Sequence, residues 1–117
     1  MSNLLDAISD SLQRAPKHWA FRCDDQELTW TGLDQAADRT VNRLHSQGLK
    51  PGDRVACGLA ADLELPVRLL AHLRARLIHV PVNTRYRKPE TDHLFELTKP
   101  ASCVGLTRNA QPGVASD

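Results

Sequence analysis

The densest group of cations in the sequence directly follows a predicted strand at residues 78–82. The segment Asn83-Thr84-Arg85-Tyr86-Arg87-Lys88 places Arg85, Arg87 and Lys88 within four positions. Such a cluster could bind a phosphate or another anion through charge-assisted hydrogen bonds. The alternative, which we favour, is a solvated approach to the next helix in which the Asn83 side chain fixes the turn, because charged loop clusters are common on protein surfaces.

Two histidines and two acids lie in or beside the third predicted helix. His79 falls in the strand after it, where an imidazole could act as an acid or a base. No carboxylate is close to His79 in sequence, so we expect a half-buried packing residue. His72 and Arg76 lie four positions apart near the helix end. Asp62 and Glu64 lie near its start, and this placement of charges suits the helix dipole rather than catalysis.

The common motifs for phosphate, metal and nucleophile chemistry are missing from the sequence. Its six glycines are isolated from one another, and neither a GxGxxG nor a GxxxxGK pattern occurs. The loop Ala60-Ala61-Asp62 lacks a glycine that would bring backbone N–H groups close to a phosphate. The three cysteines, Cys23, Cys57 and Cys103, form no zinc-ligand spacing with the five histidines and are expected to be structural. We therefore predict no catalytic, cofactor-binding or metal-binding residue in this chain.

The composition is that of one compact domain. The 117 residues carry a net charge of +1, with 41% hydrophobic, 25% charged and 4% aromatic residues. Neither a basic stripe nor a set of stacking aromatic residues indicates nucleic-acid binding. No stretch approaches the roughly 20 apolar residues of a membrane span. Residues 1–15 contain Asp6 and Asp10 and do not resemble a signal peptide, so we expect a cytoplasmic protein.

Hydrophobic spacing predicts the order helix, hairpin, helix, strand, helix, strand, helix, strand. The alternation after the hairpin indicates parallel strands joined by helical crossovers. The fold class is therefore α/β: a partial Rossmann-like parallel sheet with flanking helices, preceded by an N-terminal helix and a β-hairpin. Four helices are predicted: residues 3–15, a helix capped by Thr31 and ending at Gly48, residues 63–75 capped by Asp62, and a helix from Pro89 that ends before Pro100. The predicted strands are 19–23, 28–30, 54–59, 78–82 and 102–106.

Three finer predictions accompany this order. Residues 55–59 of the predicted strand 54–59 have small or apolar side chains on both faces, as in a strand covered by helices on both sides. Gly48 is expected to end its helix in a left-handed conformation. In the last helix we expect Leu94, Phe95 and Leu97 to form the inner face. Residues 107–117 show no periodic pattern and are predicted to be an irregular tail.

Three segments, in order, resemble the AMP-forming acyl-CoA synthetases, the ANL adenylating enzymes. These are the opening helix with its proline at residues 4–16, LTWTGLDQAADRTVNRLHSQGLKPGDRVA at 28–56, and LIHVPVNTRYRKPETDHLFELTKPASCV at 77–104. The resemblance covers residues 4–106 and implies an incomplete N-terminal subdomain of an AMP-binding synthetase, at residues 1–106. It also implies enzymes that use ATP, Mg²⁺ and CoA to make an acyl-adenylate and then a thioester.

The family's Ser/Thr/Gly-rich loop ending in lysine, its nucleotide-binding segments and its C-terminal catalytic lysine lie beyond the matched residues. The resemblance therefore implies a truncated synthetase, inactive alone, that binds none of these cofactors by itself. One departure is local: the family usually has Gly-Ala where this chain has Arg76-Leu77. An arginine there suggests looser packing or a side chain turned to the surface.

Two functional hypotheses remain open. The chain could be an enzyme fragment whose partner is the remainder of a split synthetase. It could instead be a non-catalytic α/β module that binds a partner, or a second copy of itself, through its sheet. A sheet ending at Leu106 would leave an unpaired edge and an uncovered apolar face, both of which favour association.

Overall fold

The computed structural model describes residues 4–58, 62–83, 85–105 and 115–116. The predicted order of elements is confirmed, with one short strand in addition. The elements are α1 (Leu4–Arg14), β1 (Trp19–Cys23), β2 (Gln26–Thr29), α2 (Trp30–Ser46), β3 (Arg54–Cys57), α3 (Glu64–Arg74), β4 (Ile78–Pro81), α4 (Lys88–Thr98), β5 (Ser102–Val104) and β6 (Ala115–Ser116).

The main sheet is parallel and has the strand order β4-β3-β5-β6. β3 occupies an inner position, where it pairs with β4 from Arg54 to Cys57 and with β5 from Val55 to Cys57. Val55, Ala56 and Cys57 are all buried, so both faces of this strand are covered. The α/β fold and the two-sided burial of β3 are therefore confirmed. Leu59, at the predicted end of this strand, lies outside the described residues.

The strand β6 lies in the segment 107–117, which was predicted to be an irregular tail. Ala115 and Ser116 form β6, which pairs in parallel with Ser102 and Cys103 of β5. The tail is therefore not irregular at these two residues, and the β5 edge is paired rather than open. Ser102, Cys103 and Val104 are also buried, so the uncovered apolar face expected after Leu106 is not found on β5. Leu106 itself lies outside the described residues.

The hairpin is tighter than its composition predicted. β1 and β2 are antiparallel, and their last pair, Cys23 with Gln26, leaves a turn of only Asp24 and Asp25. Asp24 has φ 56°, a left-handed conformation that aspartate tolerates better than most residues. The second strand therefore begins at Gln26, two residues before the predicted position.

The start of α2 corrects the predicted cap. Thr29 is the N-cap, and its hydroxyl accepts a hydrogen bond from the Gly32 N–H at 3.0 Å. Thr31 lies inside the helix, and its hydroxyl donates to the Pro16 carbonyl at 3.0 Å. The two threonines thus have different roles: Thr29 satisfies an orphan donor of the helix, as caps do, and Thr31 ties the end of α1 to α2.

Helices cover the two sides of the sheet unequally. On one side, α2 and α3 pack against it through a cluster that includes Leu44, Val55 and Ala71. Beyond it, a second cluster joins the same two helices to α1 and the hairpin. On the other side, the third cluster brings Phe95 of α4 against Ala56 and Cys103.

The predicted inner face of α4 is wrong at one residue. Phe95 is buried and Leu94 is partly buried against the third cluster, but Leu97 is 68% exposed. Two residues along a helix correspond to a rotation of about 200°, so a helix that buries Phe95 turns Leu97 outward. No described helix is both long enough and apolar enough to cross a membrane.

Candidate functional site

The carboxyl edge of the parallel sheet is where such a fold usually binds its ligand. Here the first residues after two strands continue the hydrogen bonding of the sheet. The Gly58 N–H donates to Val104 O at 2.9 Å, and the Val82 N–H donates to Cys57 O at 2.8 Å. These two donors are therefore used within the sheet. The loop residues 59–61 that follow lie outside the described part of the chain.

The cationic loop after β4 is organised by its asparagine. Asn83 Oδ1 accepts from the Arg85 N–H at 2.9 Å, and the Tyr86 N–H donates to the Asn83 carbonyl at 3.0 Å. Lys88 is paired with Asp92, one turn along α4, at 2.8 Å. Arg85 and Arg87 are exposed. The geometry agrees with a solvated approach to α4 in which Asn83 fixes the turn.

The structure brings two histidines into contact that the sequence did not pair. His72 Nδ1 and His79 Nδ1 lie 2.8 Å apart, with ring centroids separated by 5.0 Å. Two nitrogens at this distance share one proton, so one ring donates and the other accepts. His79 is half-buried, as predicted, and burial lowers its pKa below the ordinary value of 6.5.

His72 does not have the role that its position near the helix end indicated. Its side chain is only 1% exposed and faces β4 rather than solvent. At the other end of α3, Asp62 Oδ1 accepts from the Glu64 N–H at 2.9 Å, although the residue at the cap position itself is Leu63. Glu64 also meets Arg68, whose Nε lies 3.5 Å from the carboxylate.

Arg76 lies just past the end of α3 in a left-handed conformation, with φ 58°. The Arg76 N–H donates to Leu73 O and the Leu77 N–H to His72 O, the pair of bonds that closes a Schellman motif. Arg76 is exposed, which fits the expectation of a side chain turned to the surface. Glycine is the usual residue in this conformation because it has no Cβ.

Sequence reasoning missed the clamp that joins α2 to α3. Arg74 donates to Asp34 Oδ1 at 2.7 Å and to Asp38 Oδ1 at 2.8 Å. It also donates to the Asp34 carbonyl at 3.2 Å. The spacing of Asp34 and Asp38 by four residues was a signal for one acidic helix face, but its partner lies about 40 residues away. The clamp positions helices and carries no reactive group.

The described side chains do not form the Mg²⁺ site that the family resemblance implies. Within the described residues, no group of three or more His, Cys, Asp or Glu side chains could hold a metal ion. Cys57 and Cys103 are buried in strands and Cys23 is partly buried, as expected of structural cysteines. Leu59, Ala60 and Ala61 have no polar side chain that could bind Mg²⁺ or a phosphate. We therefore assign no step of catalysis to these residues.

The parallel sheet, its crossover helices and the preceding helix and hairpin make an α/β fold. The chain belongs to the AMP-binding enzyme family, whose model matches residues 8–116.

Similar sequences occur in two kinds of large enzyme. A medium/long-chain-fatty-acid–CoA/3-oxocholest-4-en-26-oate–CoA ligase of Mycobacterium tuberculosis is 30% identical over 92% of this chain and 20% of its own length. A 3-oxocholest-4-en-26-oate–CoA ligase of Rhodococcus rhodochrous is 29% identical over 80% of the chain and 17% of its own. The phosphinothricin tripeptide synthetase PhsC of Streptomyces viridochromogenes is 28% identical over 91% of this chain and 10% of its own length. The chain thus spans a fifth or less of these relatives.

Solved structures agree on the fold. Klebsiella oxytoca NpsA in complex with 3-hydroxyanthranilyl-AMSN superimposes with a TM-score of 0.89 at 19% identity, over the whole of this chain and 24% of that one. The O-succinylbenzoate coenzyme A synthetase of Bacillus subtilis, in complex with AMP, gives 0.86 at 19% identity, over 94% of this chain and 30% of that one.

Proposed function

We propose that this chain is the opening part of the N-terminal subdomain of an enzyme that activates a carboxylic acid as its adenylate. The observation that carries this proposal is the family match across residues 8–116. In the reaction, a carboxylate oxygen attacks the α-phosphorus of ATP and pyrophosphate leaves. Relatives named as CoA ligases and as a peptide synthetase both support this first step.

The proposed second step is transfer of the acyl group to CoA. The CoA thiolate attacks the acyl carbon of the adenylate, the thioester forms and AMP leaves. Support comes from the names of the relatives in Mycobacterium tuberculosis and Rhodococcus rhodochrous, which are CoA ligases. ATP, Mg²⁺ and CoA would then be used by the whole enzyme.

Within such an enzyme, we assign these residues a structural role. The Gly58 and Val82 N–H groups are used by the sheet, and the two histidines bond to one another between α3 and β4. What the chain supplies is the packed βαβαβ frame, and its partner is the remainder of an adenylate-forming enzyme. An interaction module acting through an exposed sheet has less support, because β3 and β5 are buried.

The first test is ATP–pyrophosphate exchange by the 117-residue chain alone, across a panel of carboxylic acids. The Mycobacterium tuberculosis relative, assayed with a medium- or long-chain fatty acid, is the positive control. We expect no exchange above the blank for the isolated chain. Exchange above the blank with any acid would refute the structural role.

The second test is a chimera in which this chain replaces the matched 108 residues of that relative. Because the two sequences are related over 92% of this chain, we expect a protein that melts cooperatively and exchanges pyrophosphate above the blank. A chimera that stays unfolded or inactive would count against the proposal that this chain is the opening part of such a subdomain.

A further inference from the structure

An open apolar groove of about 400 Å³ lies between α1, the β1–β2 hairpin and α3. Its walls include Leu4 of α1, Phe21 of the hairpin, and Leu69 and Leu73 of α3. These four belong to the eight large hydrophobic residues that are exposed in the described part of the chain. We call this surface the outer groove.

The sequence of α3 is that of a helix covered on more than one side. Val67 and Leu70 face the cluster shared with α2, and Ala71 faces the cluster against the sheet. Leu69 and Leu73, spaced four residues apart, form a further apolar ridge in the outer groove, and each is 40% exposed. A helix that is apolar nearly all round is typical of a buried position. The ridge therefore indicates a missing layer over α3.

Only two of the described residues that line the outer groove, Arg22 and Asp62, are charged. Arg22 is paired with Glu27 at 2.9 Å, and its guanidinium lies 4.4 Å from the centroid of the Trp19 ring. Asp62 accepts a hydrogen bond from the Glu64 backbone. The other 12 residues that line the groove are uncharged, so the groove calls for a largely apolar face.

The size of the outer groove argues against a second copy of the chain. It is lined by 14 residues, whereas a stable interface between separate proteins uses roughly 20–30 residues on each side. A surface of this size suits one layer within a larger domain. In a solved N-terminal subdomain of Klebsiella oxytoca NpsA, this chain covers 30% of the structure with a TM-score of 0.88.

We propose that the outer groove is where the remainder of the N-terminal subdomain packs, through an apolar helix or strand face that covers Leu69 and Leu73. The inference rests on the proposed function, and it moves the expected association surface from the sheet to the outer side of α3. Filling the groove would remove Leu4, Phe21, Leu69 and Leu73 from water together, which is the usual driving force for such packing.

The test uses the chimera described above, with Leu69→Lys and Leu73→Lys as groove variants. Leu97→Lys is the matched control, because Leu97 is an exposed helical leucine outside the outer groove. An unpaired lysine buried in an apolar contact is costly. We expect each groove variant to lower exchange activity about tenfold or more, and Leu97→Lys to change it less than about twofold.

The same substitutions in the isolated chain separate packing from folding. Because Leu69 and Leu73 are already partly in water there, we expect little change in the melting temperature of the 117-residue chain. A loss of stability in the isolated chain as large as in the chimera would overturn the inference, since the effect would then belong to this fold alone. An isolated dimer that Leu69→Lys dissociates would also overturn it, in favour of a second copy.

A second measurement does not depend on activity. Cys23 lines the outer groove and is partly buried, whereas Cys57 and Cys103 are buried in strands. We expect alkylation of Cys23, followed by mass spectrometry, to be about tenfold slower in the chimera than in the isolated chain, because packing excludes the reagent. Equal rates in a folded, active chimera would overturn the groove assignment and leave the proposed function standing. An unfolded chimera would count against both.

Discussion

The two sides of the parallel sheet are covered to different depths. On one side, α2 and α3 bury Leu44 and Ala71 against Val55, and a second cluster lies beyond them toward α1 and the hairpin. On the other side, α4 buries Phe95 and leaves Leu97 exposed. The same central strand therefore faces two apolar layers on one side and one on the other. We infer that the α2–α3 side supplies most of the stability.

Differences in the helices themselves explain this asymmetry. α2 and α3 present apolar residues to the sheet and to each other, and the Arg74 clamp adds a polar link between them. α4 approaches the sheet with one aromatic side chain and a partly buried leucine. Its Lys88–Asp92 pair lies along the helix, and a hydrogen bond of 3.2 Å from Arg54 to the Thr98 carbonyl links its end to β3. The predictions below test this contrast, beginning with the largest expected effect.

Leu44→Ala is expected to have the largest effect. Leu44 is fully buried between α2 and the sheet, and truncating such a leucine typically costs about 3 kcal/mol or more. Leu97→Ala on α4 should change the free energy of unfolding by less than about 0.5 kcal/mol. Urea denaturation of both variants measures the difference. Equal costs would mean that the outer face of α4 is buried and that the contrast between the two sides is wrong.

The Arg74 clamp should contribute less to the free energy of unfolding than Leu44 does. Arg74→Ala is expected to lower stability by about 1 kcal/mol at low salt, since the side chain is partly buried and bonds two carboxylates. High salt should shrink this loss, because it screens partly exposed charges. Arg14→Ala is the control: it breaks the exposed pair with Asp10 and should have no measurable effect. A loss from Arg74→Ala that salt leaves unchanged would contradict an electrostatic clamp.

The C-terminal ends of α2 and α3 test how much a left-handed residue costs on the α2–α3 side of the sheet. Both helices close with the same pair of backbone bonds, but the left-handed residue is Gly48 in one and Arg76 in the other. Arg76→Gly should stabilise the protein by about 0.5–1 kcal/mol, because glycine removes the strain of φ 58°. The gain would appear as a higher urea midpoint.

Gly48→Ala is the reciprocal control. A Cβ at Gly48 would meet nothing within 4 Å, so any cost comes from its φ of 85° and not from crowding. We expect a loss of about 1 kcal/mol. If Arg76→Gly failed to stabilise while Gly48→Ala destabilised, a favourable contact of the Arg76 side chain would have to offset the backbone strain.

Local sequence signals predicted most of the fold. The order of elements, the parallel sheet, the burial of β3 and the conformation of Gly48 all follow from periodicity and turn chemistry along neighbouring residues. The choice between Thr29 and Thr31 as cap was not predictable in this way. Both residues can cap a helix, and the outcome depends on Thr29 adopting the extended ψ of 165° at the end of β2.

The features that sequence reasoning missed depend on contacts between distant residues. Arg74 meets Asp34 across 40 residues, and β6 exists only as a pairing with β5. The exposure of Leu97 follows from the rotation of α4 about Phe95, which hydrophobic spacing alone left open. The histidine pair is a further example, since seven residues and a change from helix to strand separate its members.

The His72–His79 pair should have the smallest effect on stability. It predicts the direction in which the free energy of unfolding changes with pH. Burial lowers the pKa of His79 below 6.5, so at mildly acidic pH the unfolded chain binds more protons than the folded one. The free energy of unfolding should therefore be insensitive to this group above pH 6.5 and should fall as pH decreases below it, levelling off once the folded-state pKa is passed. Protonating both rings also removes the acceptor of the 2.8 Å hydrogen bond to His72.

Urea denaturation between pH 7.5 and pH 5.5 would measure this dependence above most of the carboxylate titration range. His79→Gln should flatten the slope, because glutamine does not titrate and its amide could still bond to His72. The unmodified chain, measured over the same pH range, is the reference for this slope. A slope that survives in His79→Gln would place the acid sensitivity elsewhere. If stability instead rose as pH fell, the pKa of His79 would be higher in the folded chain than in the unfolded one. Burial against α3 would then not be the main influence on the pKa of His79.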